Sequence, residues 1–256
     1  VIASLPMYDR AETAPANDRL WARIRDRMRA VGMEAPEALT RGAGDLWPQW
    51  LSPDLALSQT CGFPYRSRLH GRVTLIGTPD FAVPGCPPGY YRSVFVARAD
   101  DPRRDLADFD GAAFAYNEAL SQSGWAAPQT HAAGLGLRLP PALQTGAHRL
   151  SAQAVAEGRA DLAALDVVTW RMLRRWEPAT ASLREVAQTD PTPGLPYIAH
   201  LGADAPAVFA IIAASIAEMD TADRDATGLV GLVWIAPESY LAVPTPAAPA
   251  DLLPIA

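Results

Sequence analysis

Short apolar, β-branched runs recur along the chain, each followed by an amphipathic stretch, and this alternation leaves few architectures open. "VIASLPMY" (1–8) reads as a buried strand running into a loop. "NDRLWARIRDRMRAVGM" follows as a helix, with Asn17 or Asp18 as cap, Leu20, Ile24 and Met28 on one face, and Gly32 as the stop. "DLALSQT", "RVTLIGTPDF", "YRSVFVARAD" and "AAFAY" (112–116) are further strands, and a helix containing "APQTHAAGLG" follows the last of them. The second half repeats the pattern. "TGAHRLSAQAVAEG" is an amphipathic helix stopped by Gly158, "ADLAALD" a buried strand, and "VVTWRMLRRW" another helix. "SLREVAQ" and "PYIAHL" are strands on either side of a proline-rich crossing, and an alanine-rich helix and "LVGLVWIAPESYLAV" close the chain. Strands that alternate with helices place the chain in the α/β class with largely parallel sheets. At 256 residues it forms one large domain or two lobes of ordinary size.

Composition narrows what such a fold does. A net charge of −6, with no basic stripe interleaved with aromatics, argues against nucleic acid as a partner. It does not argue against a small anion, because such a site is built from local dipoles. The longest apolar stretch, "APAVFAIIAASIAEM" (205–219), is too short to cross a membrane and carries the period of a packed helix. No basic region and apolar core precede "VIASLPMYD", so a periplasmic chain whose leader has been removed and a cytoplasmic chain both stay open. Cys61 and Cys86 lack metal-ligand spacing; a disulfide and two buried thiols are equal alternatives. The four histidines, His70, His131, His148 and His200, also lack metal spacing, and no metal or cofactor is expected.

Three loops at strand ends concentrate hydroxyl and amide groups. In "YNEALSQSGW" (116–125), Ser121 and Ser123 flank Gln122, and Gly124 permits close backbone approach. Where a helix begins at such a turn, its first N–H groups and positive dipole end face the same point as the hydroxyls. The turn is therefore either a helix cap or an oxyanion cradle. "QTGAH" (144–148) has the same logic: Thr145, flexible Gly146, then His148 in the first helical turn. A cationic histidine there opposes the helix dipole, so His148 is either a surface residue or a neutral donor beside an anion. "SQTCG" (58–62) is the third such loop. Loops of this kind at strand C-termini suggest one crevice, where ligands sit in open α/β sheets. Asp166, at the end of "ADLAALD", either caps the following helix or binds a ligand amine or hydroxyl. No G-x-S-x-G elbow, phosphate-binding P-loop or H-E-x-x-H motif is present, and His148 with Asp166 is the best acid–base pair that could be assembled.

In order, "ASLPMYD", "LALSQTCGFPY", "VTLIGTPDF", "GCPPGYYRSVFVAR", "DLADFDGAAFAYNEALSQSG", "TGAHRLSAQAVAEGRADLAALD" and "TDPTPGLPYIA" resemble the substrate-binding proteins of phosphate, phosphite and phosphonate ABC importers. The resemblance covers most of the chain. It implies a type II periplasmic-binding-protein fold, an α/β fold of two lobes with two hinge-crossing strands. It also implies a monomeric binding protein, not an enzyme, that captures a small oxyanion between closing lobes and delivers it to a membrane permease. The expected lobes are 1–97 with 199–256, and 98–198. Carried over, the Ser-x-Ser-Gly turn matches Ser121, Gln122, Ser123 and Gly124; Thr-Gly-Ser-His matches Thr145, Gly146 and His148, with Ala147 in place of the serine. Asp166 matches the acidic strand end and Tyr91 the aromatic crossing, beside Ser93. Tyr8, Gln59 and Thr60 would line the pocket from the first lobe. Gln122 stands where the family often has threonine, so this chain has fewer hydroxyl donors. Those departures also admit a sulfonate, carboxylate or heterocycle. The rival is a cytosolic enzyme or ligand sensor on the same fold.

Overall fold

A computed structural model describes residues 1–42 and 44–252 of the chain. The residues fall into two compact units. One comprises Val1–Tyr90 and Pro193–Leu241; the other comprises Tyr91–Thr192 and the C-terminal segment from Ala242.

The sheet of the first unit runs in the order Ile2–Ala3, Leu55–Gln59, Tyr197–His200, Val73–Asp80, Gly231–Val233. Ile2–Ala3 is parallel to its neighbour, but Tyr197–His200 runs antiparallel to the strands on both its sides. Both faces of this sheet are covered. Tyr197 and Ala199 join a cluster with Leu20, Trp21, Ile24 and Ile212, while Ile198 joins a second cluster with Trp50, Tyr65 and Tyr240. This is the two-residue alternation of a strand buried on both sides. The helices Ala14–Ala30 and Ala205–Ala217 supply the first cluster.

The first of these helices begins earlier than its sequence suggests. Thr13 occupies the cap position and Pro15 stands in the first turn, where its fixed φ and missing N–H cost nothing. Asn17 is already helical; its side chain donates to Asp9 Oδ1 at 2.9 Å. Gly32, at φ +79°, follows the helix end as expected. No single helix among the described residues is long and apolar enough to cross a membrane.

In the second unit the order is Pro141–Gln144, Phe114–Tyr116, Leu162–Asp166, Ser93–Arg98, Leu183–Gln188. Phe114–Tyr116 is parallel to both neighbours, whereas Ser93–Arg98 is antiparallel to both of its own. The sheets are thus mixed, not largely parallel. The physical reason is the crossing itself: Ser93–Arg98 and Tyr197–His200 are each the main strand reached after the chain changes unit, and each enters between strands of the opposite direction. Pro141–Gln144 carries a proline at its start and lies at an edge, the place where a missing N–H is tolerated.

The lobes read from the resemblance divide at 97/98 and 198/199, whereas the units divide at Tyr90/Tyr91 and Thr192/Pro193. Val94–Ala97 are fully buried in the second sheet and Ile198–Ala199 in the first, so neither strand is free to be a crossing. The crossing segments are Tyr90–Tyr91 and Thr192–Pro193, which form a two-stranded sheet. Next to it, Gly194 N donates to Gly89 O at 2.8 Å, and a Cβ on Gly194 would meet that oxygen at 2.6 Å. The C-terminal segment was expected in the first lobe; from Ala242 onward it belongs to the second unit. The chain therefore changes unit three times. Among the described residues no disulfide forms, and Cys61 and Cys86 are both half-buried thiols.

Candidate functional site

The turn "SQSGW" opens a helix. Ser121 is its cap, in extended backbone, and its hydroxyl accepts from Gly124 N at 3.0 Å. A wide π-helical turn, Gln122–Ala126, leads into the α-helix Ala127–Gly134. Ser121, Gln122, Ser123 and Gly124 are all buried. Trp125 and Tyr116 pack with centroids 4.9 Å apart, which fixes the turn on the sheet.

The second loop comes to the same place. Thr145 N donates to Tyr116 O at 2.9 Å and Gly146 N to Asn117 O at 2.9 Å, so Thr145–Gly146 is stitched onto the end of the strand that leads into the serine turn. Gly146 takes φ +85°, a conformation that favours glycine. Ala147 is the cap residue of the helix His148–Ala156 and contributes no side-chain cap. The Thr145 hydroxyl lies within reach of Tyr116 O (3.2 Å), Ala147 O (3.1 Å) and Ser151 Oγ (2.7 Å).

His148 Nε2 and Ser123 Oγ are 2.9 Å apart, joining the two loops. Burial pushes the imidazole pKa down to about 4, against a weaker opposing pull from the Ala164 carbonyl. The ring is therefore neutral near neutral pH and supplies either a donor or an acceptor to Ser123. Gly124 is what lets the loops meet. A Cβ there would stand 1.8 Å from Asn117 Oδ1 and 3.2 Å from His148 Cε1.

Asp166 ends the strand Leu162–Asp166, and its Oδ1 accepts from Val168 N (2.7 Å) and Thr169 N (3.0 Å), a full cap for the helix Val167–Trp176. Ser93 lies opposite it in the antiparallel register, and its hydroxyl oxygen is buried without a hydrogen-bond partner. Tyr91 is 3 % exposed. In the first unit, Gln59 Nε2 donates to Leu195 O at 3.1 Å, Thr60 N donates to Pro196 O at 3.1 Å, and Tyr8 meets Phe81 edge-on with centroids 4.9 Å apart.

The geometry thus brings Ser121, Ser123, Gly124, Gly146 and His148 into one cluster, with Thr145 behind it. Two residues outside the expected set join the cluster: Asn117, which touches both loops, and Ser151, which is fully buried on Thr145. Asn117 had a signal: it stands directly at the end of a strand, seven residues before the glycine that accommodates it.

Residues 77–239 match the family described as the periplasmic substrate-binding protein of phosphonate ABC transporters. No curated protein matches the sequence. Among solved structures, the fold is similar to PhnD1 from Prochlorococcus marinus in complex with methylphosphonate, at TM-score 0.70 and 15% identity, covering 93% of this chain and 94% of that one. A Xanthomonas citri protein bound to ATP matches at TM-score 0.68 and 18% identity, over 93% and 92% of the two chains. A binding protein component of an ABC phosphonate transporter from Pseudomonas aeruginosa matches at TM-score 0.66 and 13% identity, over 94% and 82%. The expected α/β fold of a two-lobed periplasmic binding protein is the one observed.

Proposed function

The chain belongs to the family of periplasmic substrate-binding proteins of phosphonate ABC transporters, and on that premise we propose that its own ligand is a small phosphorus oxyanion of the phosphonate, phosphite or phosphate type. The ligand oxygens are held by Ser121, Gln122, Ser123 and Gly124 in one loop and by Thr145, Gly146 and His148 in the other. Tyr8, Gln59 and Thr60 of the first unit, with Tyr91, complete the set, and Asp166 accepts from an amine or hydroxyl at the ligand's other end. The protein acts in the periplasm as a monomer, closing over the ligand and presenting it to a membrane permease.

The observation that carries this reading is the Ser123–His148 pair, a hydroxyl and a neutral imidazole 2.9 Å apart at two helix N-termini. Helix N-termini attract anions through unpaired N–H groups and the dipole. The helix at His148 has no side-chain cap to satisfy those groups, because Ala147 stands at the cap position. A ring proton on Nε2, donated to Ser123 Oγ, leaves the Ser123 hydroxyl free to donate to a ligand oxygen, whereas a ring proton on Nδ1 is drawn to the Ala164 carbonyl and leaves Nε2 to accept from Ser123. A hydrogen bond to a charged acceptor is worth about 1.5–3 kcal/mol, so a few of them suffice to shift a closure equilibrium.

The test is calorimetric titration with methylphosphonate, 2-aminoethylphosphonate, phosphite, phosphate, a sulfonate, ATP and a thiamine-type heterocycle. Micromolar or tighter binding of a phosphorus oxyanion, lost by at least ~10-fold in Ser123→Ala, supports the assignment. Binding of the heterocycle or sulfonate alone, or a Ser123→Ala protein with unchanged affinity, removes it.

A further inference from the structure

Asn117 stands at the start of the serine loop, with its backbone bonded to the histidine loop and its side chain against Gly124. Its backbone oxygen accepts from Gly146 N at 2.9 Å. Its side-chain oxygen stands 1.8 Å from where a Gly124 Cβ would be, and Cε1 of the His148 ring lies 3.2 Å from the same point. That oxygen is buried and has no hydrogen-bond partner. An unsatisfied buried acceptor costs about 1–3 kcal/mol, and the amide could have been an apolar side chain of the same shape if filling space were its task.

We propose that Asn117 is the positioning residue of the site: its side-chain oxygen occupies the volume left by Gly124 and bears on the edge of the His148 ring, holding Nε2 on Ser123 Oγ. An oxygen suits that place because the hydrogens of Gly124, and the Cε1–H of the imidazole whose carbon lies 3.2 Å from the same point, are weakly positive. The turned amide would set N–H bonds against those same hydrogens. Asn117 therefore couples three things: the φ-permissive turn at Gly146, the missing side chain at Gly124, and the ring orientation at His148. It acts through His148 and does not contact the ligand. The inference rests on the Ser123–His148 ligand reading for its meaning, but its geometry stands without any ligand.

Two measurements separate them. Nitrogen NMR of the ligand-free protein reports the ring of His148 directly, and titration with methylphosphonate reports the ligand. In the wild type the two ring nitrogens are expected to show well-separated shifts of a single neutral tautomer at pH 7. In Asn117→Ala those shifts converge as the ring exchanges between tautomers, and methylphosphonate affinity falls by about 10-fold. Asn117→Asp keeps the shape and sets a carboxylate beside the ring, so the His148 pKa rises by about one pH unit or more. A purely structural asparagine would lower the melting temperature in both variants and leave the shifts and the titration of His148 where they were; that result overturns the proposal. Weaker methylphosphonate binding with an unchanged His148 spectrum also overturns it, since Asn117 would then touch the ligand itself. A wild type that ignores methylphosphonate, with the ring effects intact, upholds the positioning role and removes the phosphonate reading.

Discussion

Burial holds His148 at about 4 in the folded chain against an ordinary 6.5, and this has a consequence independent of any ligand. A base whose folded pKa is depressed takes up fewer protons when folded. Its contribution to stability is full above the unfolded value and is lost as pH falls from about 6.5 toward about 4. Urea denaturation at pH 7 and pH 5 is expected to differ by about 2 kcal/mol on this account, and His148→Gln to flatten that difference. Gly124 is the matching test of space. Gly124→Ala drives a methyl group into Asn117, at a cost of about 1–3 kcal/mol of stability by overpacking, with ligand affinity falling as Ser123 is displaced from His148. A melting curve and a titration of the same sample check both. At this scale the sequence offered residue types but not neighbours. Ser121, Ser123, Gly146 and His148 announced themselves because hydroxyls, glycine and imidazole cluster locally. Asn117 offered only its place at a strand end, because its contacts reach across two loops that the parallel pairing of Phe114–Tyr116 with Pro141–Gln144 brings side by side.

Helix ends were legible for a related reason: caps are local. Gly32 and Gly158, both at positive φ, follow their helices as the sequence indicates. Asp166 was open between cap and ligand residue, and its two bonds to helix amides give the cap a definite worth. Asp166→Ala is expected to destabilise the chain by about 1 kcal/mol in denaturant titration, whereas Asp166→Asn, which still presents an oxygen to those amides, retains most of it. Strand direction was not legible, because two strands whose neighbours come from distant parts of the chain take their polarity from the crossings. The C-terminal segment is a second case. Trp125, wholly buried and part of the serine turn, donates its indole N–H to Ala247 O at 3.1 Å. Nothing local in "VPTPAAPADLL" reveals that seat, since it depends on an indole more than a hundred residues earlier. Trp125→Phe keeps the aromatic packing and deletes the donor. Limited proteolysis should then cut the segment after Ala242 several-fold faster, reflecting a loss of about 1 kcal/mol in its docking.

For the whole molecule, the two units each have their own sheet and their own buried residues. Of the residues proposed for the ligand, Ser121, Ser123 and His148 belong to one unit and Gln59 and Thr60 to the other. A ligand that engages both must bind the closed form better than the open one, and only that difference shifts the equilibrium. Hydrogen exchange with and without a saturating phosphorus oxyanion reads this unit by unit. Ligand at 100-fold its dissociation constant stabilises the form it binds by about 2.7 kcal/mol, which slows exchange through openings of that form by about 100-fold. Protection is expected in peptides spanning 121–126 and 145–151, and also in those spanning 55–62. The last set decides, because Gln59 and Thr60 already satisfy the backbone of their own unit through Leu195 and Pro196, and a ligand confined to the serine and histidine loops would leave their exchange unchanged. Protection of 121–151 alone would keep the anion cradle and remove closure, while protection of all three segments would join the two units through the ligand.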